Sequence, residues 1–281
     1  RGSEGEEFKL IINKGSVYDL ELADSTIELK RGENETNIKS SVITNGKLNF
    51  TQIKKISSLF GLNINNLKDI NGTVNLKTNV NFDLNKRFRV KNLSYSTAGN
   101  IDYFAIHTEE KKFIKEYLPK YNPKIIFQDT NIKFTRSKSS HTGEFNGFVK
   151  IQDQLSSFKI KETYNYNKKS FDINGNIDLT NSEVKVSKLN YSKDLGEKSD
   201  LSFDINFILN KYYNIENLKF LADENKINLS NVKLNKNFEV MDLKKLEIKT
   251  FLDKVKNNDF SVSKVKKIII SGEVFDAQPL L

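Results

Sequence analysis

Cysteine is absent from all 281 residues, which excludes disulfides, thiolate nucleophiles and cysteine-ligated metals. Tryptophan is absent too, methionine occurs once and proline three times. Without Trp, a carbohydrate-acting cleft would need stacked Tyr and two poised carboxylates. Glu109-Glu110 and the Asp172/Asp178 pair are neighbours by sequence only, and nothing marks them as a general acid and base. The two histidines, His107 and His141, stand in polar surroundings without the spacing of metal ligands. Glycines are isolated, so no phosphate-cradling loop is present, and Ser139-Ser140-His141 makes no nucleophile elbow. The expected protein is not an enzyme and needs no metal or cofactor.

Long apolar runs are missing as well. Stretches such as Ile268-Ile269-Ile270 are far too short to cross a bilayer, and no signal peptide is visible. Residues 1–7, opening Arg1-Gly2-Ser3, read as a tag remnant or disordered lead, and the stop at Leu280-Leu281 reads as a cut. The chain is therefore expected to be a piece of a longer protein.

Acidic residues are the minority: 45 Lys and Arg face 36 Asp and Glu, a net charge of +9. The cations are mostly dispersed Lys at alternate positions beside Asp, Asn and Ser, where they solvate an outer face. Attraction to anionic lipid head groups is the second reading. Nucleic acid is not expected, because clusters such as Arg136-Ser137-Lys138 lack interleaved aromatics.

What the chain does contain is period-two alternation. Val74, Leu76, Thr78, Val80, Phe82 and Leu84 point one way between Asn, Lys and Asp. Phe171, Ile173, Gly175, Ile177 and Leu179 repeat this, as do Leu201, Phe203, Ile205, Phe207 and Leu209. Successive side chains leave opposite sides of a sheet, so strict alternation predicts strands with one dry face. Turn signals at Asn45-Gly46, Asn71-Gly72, Asn146-Gly147, Gly196 and Ser271-Gly272 predict hairpins, hence antiparallel strands, about fifteen to twenty of them at ordinary spacing. A loose internal echo, strand then bend then second strand, runs from Asn71 to Tyr95 and again from Asn174 to Tyr191.

Helices are predicted at Thr51–Leu62, with Thr51 as N-cap and Ile53, Ile56, Leu59 and Phe60 on one face, and at Glu109–Leu118 before Pro119. A third turn or two of helix is placed over Phe251–Lys256. The reading is an all-β, elongated, antiparallel curved sheet with two or three short helices, subdivided as 8–118 and 119–281 without a flexible linker between them.

The stretch Asp178-Leu179-Thr180, then Leu189-Asn190-Tyr191-Ser192-Lys193, then Gly272 through Leu281 resembles the AsmA-like family of bacterial envelope proteins, especially its large YhdP-type members. The likeness covers the last hundred residues best. It implies a repeating β-groove whose concave face is apolar, in a periplasmic protein anchored to the inner membrane by a segment this chain lacks. The implied task is phospholipid transport between inner and outer membranes and outer-membrane homeostasis. The implied partners are phospholipid acyl chains, the two membranes and other envelope proteins.

On that reading the groove is lined by Val74, Leu76, Val80, Phe82, Leu84, Phe171, Ile173, Ile177, Leu179, Leu201, Phe203, Ile205, Phe207 and Leu209. Physics permits it: at about 0.8 kcal/mol per CH₂, a sixteen-carbon tail gains roughly 12 kcal/mol on leaving water. The rival reading closes the same alternating strands into a sandwich, making them the dry core of a structural or adhesive cell-surface module.

Overall fold

The long alternating runs become strands, short of a residue or so at their ends. The computed structural model describes residues 5–18, 20–59, 69–107, 112–264 and 266–280. Its strands are β1 (Glu7–Val17), β2 (Leu20–Arg31), β3 (Glu35–Asn49), β4 (Asp69–Asn85), β5 (Val90–His107), β6 (Lys124–Arg136), β7 (Ser140–Lys150), β8 (Leu155–Asn165) and β9 (Ser170–Asp178). They continue as β10 (Val184–Val186), β11 (Tyr191–Lys193), β12 (Ser199–Ile208), β13 (Tyr212–Ala222), β14 (Asn225–Asn235), β15 (Val240–Leu252), β16 (Val255–Lys264) and β17 (Ile268–Val274). Fifteen of them form one open sheet in sequence order, except that β9 passes directly to β12. β10 and β11 pair only with each other, in a separate two-stranded ribbon. The fold is all-β and antiparallel, as the turn spacing predicted.

Two short α-helices interrupt the strands, α1 (Phe50–Leu59) and α2 (Lys112–Tyr117). The cap of α1 is not Thr51. Asn49 Oδ1 accepts from Gln52 N at 3.0 Å and Gln52 Oε1 accepts from Asn49 N at 2.8 Å, a reciprocal capping box whose cap lies two residues earlier. Gln52 also donates to the Tyr18 carbonyl at 2.6 Å, tying the helix to the β1–β2 turn. The expected ends of these helices at 60–62 and 109–111 lie outside the described residues.

Two groups of local expectations are corrected. Phe251–Lys256 is not helical: Leu252 pairs with Val255 around Asp253 (φ 49°) and Lys254 (φ 65°). Two successive positive φ values make a tight two-residue hairpin turn, favoured because its twist matches that of the strands. The Asn-Gly and Ser-Gly pairs, in turn, lie inside β3, β4, β7 and β17. Their glycines admit close neighbours rather than reversals. A Cβ on Gly147 would stand 2.6 Å from Thr130 Cα, and one on Gly272 would stand 2.5 Å from Phe260 Cα. Gly196 alone of these sits in a turn, at φ 89°.

The long hairpins turn instead on asparagine side chains. Asn85 Oδ1 accepts from the amides of Arg87 and Arg89, Asn165 Oδ1 from Asn167 and Lys168, and Asn235 Oδ1 from Asn237 and Glu239. An Asn carbonyl mimics a backbone acceptor, which is why the reversal needs no glycine.

A local backbone feature recurs at two places outside the expected echo. Asp24 and Asp129 take positive φ (44° and 45°), and the next residue folds its hydroxyl back: Ser25 Oγ to Ala23 O at 3.0 Å, Thr130 Oγ1 to Gln128 O at 3.1 Å. Both hydroxyl residues are buried. Such bulges bend a strand and sharpen its twist. The expected echo from Asn174 to Tyr191 fails, because β9 is followed by the three-residue β10 and not by a second long strand.

The chain divides into two compact units, Arg1–Thr108 with Ile126–Gly147 and Glu109–Ile125 with Phe148–Leu281. In the second unit a buried cluster of Leu179, Val184, Tyr191, Phe220 and Ala222 forms where the β10–β11 ribbon folds onto the sheet, flanked by Ile177, Leu201 and Ile227.

Candidate functional site

Cross-strand register turns the alternating residues of the second unit into rows. The first runs Phe158–Ile177–Leu201–Phe220–Ile227–Ile248–Phe260 across β8, β9 and β12 to β16. The next is Ile160–Gly175–Phe203–Leu218–Leu229–Leu246–Val262–Ile270, reaching β17. A third is Ile173–Ile205–Ile215–Val232–Leu243. The last is Tyr164–Phe171–Phe207–Tyr213–Leu234–Val240. At about 4.8 Å between strands, the second row spans roughly 34 Å of continuous apolar surface.

The first row is covered. The segment 179–198 leaves β9, makes the β10–β11 ribbon and returns to β12, burying Ile177, Leu201, Phe220 and Ile227 against Leu179 and Tyr191. The segment is fixed by Lys193, which is 1% exposed. Its ammonium donates to the carbonyls of Leu179 (2.9 Å), Thr180 (3.2 Å), Ser182 (2.7 Å) and Asp194 (2.9 Å). Burial pulls its pKa below the usual lysine value, opposed by the carboxylates of Glu197, Asp178, Asp194 and Glu183. Tyr191 beside it has its phenol pKa pushed up by burial and then by Glu197 and Asp223.

The other rows are not covered by a second sheet: among the described residues the only strands outside the main sheet are β10 and β11. Phe171, Ile173, Phe203, Ile205 and Phe207 are half-buried, as an uncapped sheet face makes them, while Val232 is buried at 4%.

Of the expected lining, Ile177 and Leu201 lie in the row that the ribbon covers, and two more residues lie outside the strands. Leu179 lies past the end of β9 and is buried in the cluster under the ribbon. Leu209 lies past the end of β12, in the turn to β13, and is 56% exposed. Alternation carries no signal for where a strand stops.

In the first unit Val74, Leu76, Val80, Phe82 and Leu84 share one face of β4, with Val74 3% exposed and the others half-buried. The rows there are broken by hydroxyls: Ser40 sits beside Val80, Thr44 beside Leu76, and Thr78 faces Thr97 with their Oγ1 atoms 3.0 Å apart. A recess of about 610 Å³ in this unit is lined by Thr26, Glu28, Lys39, Asn79, Ser94 and Arg136 among others, largely from the polar side of the strands. Val80 and Tyr95 are its apolar lining residues, among polar ones.

An aromatic ladder closes one edge of the second unit's face. Ring centroids step from Tyr164 to Phe171 (4.4 Å), Phe207 (5.0 Å), Tyr213 (5.5 Å) and Phe238 (4.7 Å). Tyr164 and Tyr213 escape a search for alternation, and Phe238, which alternates with Val240, joins the ladder only through register. The opposite, polar side of the sheet is stitched by charge. Glu247 accepts from Lys245 (2.5 Å), Asn228 (3.0 Å) and Lys226 (3.0 Å), which hold its pKa down at about 2.

No helix among the described residues is long and apolar enough to cross a membrane. Compared with protein-family models, curated proteins and solved structures, the chain finds no match.

Proposed function

We propose that this chain is a non-enzymatic lipid-shielding segment of the AsmA-like kind, acting in the periplasm, whose apolar sheet face holds phospholipid acyl chains in transit between inner and outer membranes. The observation that carries the reading is the set of cross-strand apolar rows through Phe203 and Ile205, with no second sheet laid over them among the described residues. Uncovered rows of this size are rare on proteins with no partner, because each exposed apolar side chain forgoes about 1.5–3 kcal/mol of burial. A tail laid along them regains that energy without any chemistry. A sandwich-cored adhesive module, the rival, needs a facing layer over the same rows, and the three-residue strands β10 and β11 are too small to be one.

The test is native mass spectrometry of the chain purified from bacterial membranes. Bound phospholipid is expected, and Phe203→Asp is expected to lower its occupancy while the far-UV dichroism keeps its β signature. A chain that never carries lipid, under conditions where it is folded, refutes the proposal.

A further inference from the structure

The hairpins at the two edges of the second unit differ in charge. At the aromatic edge the connections carry lysine: Lys168 and Lys169 between β8 and β9, Lys211 between β12 and β13, Lys236 between β14 and β15, Lys266 and Lys267 between β16 and β17. All six are exposed. Of the nearby carboxylates, Asp242 is paired with Lys264 at 2.6 Å, while Glu239 in the Lys236 connection and Asp172 on the polar side accept only from the amides of Asn235 and Asn206, which leaves the edge with a net excess of lysine. At the other edge the β13–β14 turn is acidic, with Asp223-Glu224, and the β15–β16 turn, Asp253-Lys254, carries no net charge.

Three of these four lysine turns adjoin the aromatic ladder. Lys169 is two residues from Phe171, Lys211 two from Tyr213, and Lys236 two from Phe238, or about 7 Å along an extended chain. A row of aromatic rings, two of them tyrosines with a polar hydroxyl, set beside a line of ammonium groups reproduces the order of a lipid from tail to phosphate. We infer that this edge binds the phosphate of an anionic phospholipid whose tails lie on the apolar rows, so that lipids are held in one orientation, head group toward Lys168, Lys169, Lys211 and Lys236. This rests on the lipid-shielding reading and adds to it a substrate class and a polarity.

The experiment measures binding by the whole chain of three fluorescent lipids with identical tails: phosphatidylglycerol, phosphatidylcholine and uncharged diacylglycerol. The quadruple variant Lys168→Gln/Lys169→Gln/Lys211→Gln/Lys236→Gln is compared with Asp223→Asn/Glu224→Gln at the opposite edge. The inference predicts that phosphatidylglycerol binds tightest, that the lysine variant loses at least tenfold for it and under twofold for diacylglycerol, and that the acidic-edge variant is unchanged. Inorganic phosphate at equal concentration should not compete. Equal binding of all three lipids, unaffected by the lysine variant, overturns the inference and leaves the lipid-shielding reading intact. Failure of every lipid to bind removes both. Displacement by phosphate alone, or lysine-dependent sedimentation with phosphatidylglycerol vesicles without extraction of lipid, also overturns it, making the edge a free-anion site or a membrane contact.

Discussion

The side-chain amide of Asn190 donates to the carboxylate of Asp276 at 3.0 Å, across 86 positions of sequence. Asn190 is in the left-handed conformation (φ 49°, ψ 45°) at the end of the turn between β10 and β11. Asp276 follows β17, and its carboxyl is held below the usual range by Asn190 first and then by the Gln278 amide. Between the two lies Asn258, fully buried, which donates to Leu189 O (2.8 Å) and Thr250 Oγ1 (2.9 Å) and accepts from Asp276 N (3.0 Å). The ribbon that covers the first apolar row is thus clamped from β16 and from the segment beyond β17.

Asn258→Ala is expected to lower stability by about 1–2 kcal/mol, because the Asp276 amide loses its acceptor while Leu189 O and Thr250 Oγ1 each lose one of two partners and keep Asn257. Urea denaturation followed by circular dichroism measures it. Hydrogen exchange should also rise first in 184–193, the ribbon released by the loss.

Lys193→Met keeps the length and apolar stem of the side chain but removes the ammonium. Four carbonyls then lose one partner each, two of them at bonds enclosed in the protein. A loss of about 3 kcal/mol is expected, read as a fall in the urea midpoint. Lys193→Arg should not restore it, since a planar guanidinium does not fit a cage built around a point charge.

Glu247 provides the acid sensitivity. Its carboxyl is lowered from 4.5 to about 2 in the folded chain by Lys245, Asn228 and Lys226. A depressed folded pKa stabilises above the unfolded value, so the contribution is complete above about pH 5 and disappears as pH falls from about 4.5 toward 2. Melting temperatures measured from pH 6 to pH 2.5 should fall more steeply for the wild type than for Glu247→Gln, with the two curves converging at the acid end.

Gly175 is the gap in the second apolar row, between Ile160 and Phe203. A Cβ there would stand 2.4 Å from the Lys159 carbonyl oxygen, which is backbone and cannot swing aside. Gly175→Val is therefore expected to destabilise by about 1–3 kcal/mol, visible in the denaturation midpoint, although valine suits a strand better by propensity.

The strands were legible because alternation is a local property: Leu201 to Phe207 announces β12 with no knowledge of its neighbours. The uncovered face was legible only as a choice between groove and sandwich, since the same alternation serves both. Leu179 and Leu209 were read as continuing their strands because strand ends depend on where the partner strand stops. Asn-Gly pairs at 45–46 and 71–72 looked like turns, yet each glycine sits in a paired strand. The reversals fell to Asn85, Asn165 and Asn235, whose side chains supply the turn acceptor. The aromatic ladder and the Asn190–Asp276 contact were out of reach, because both are products of register between distant segments.

Neighbouring residues of one strand face opposite sides of the sheet, which permits a direct test of the acyl-chain claim. Photo-crosslinking amino acids placed singly at Phe203, Leu218 and Leu229, and in control chains at Ser202, Lys219 and Asn228, are irradiated in bacteria fed a tritiated fatty acid. Labelled adducts at the first three positions and none at their neighbours are predicted. Adducts at neither set, or equally at both, would contradict the account.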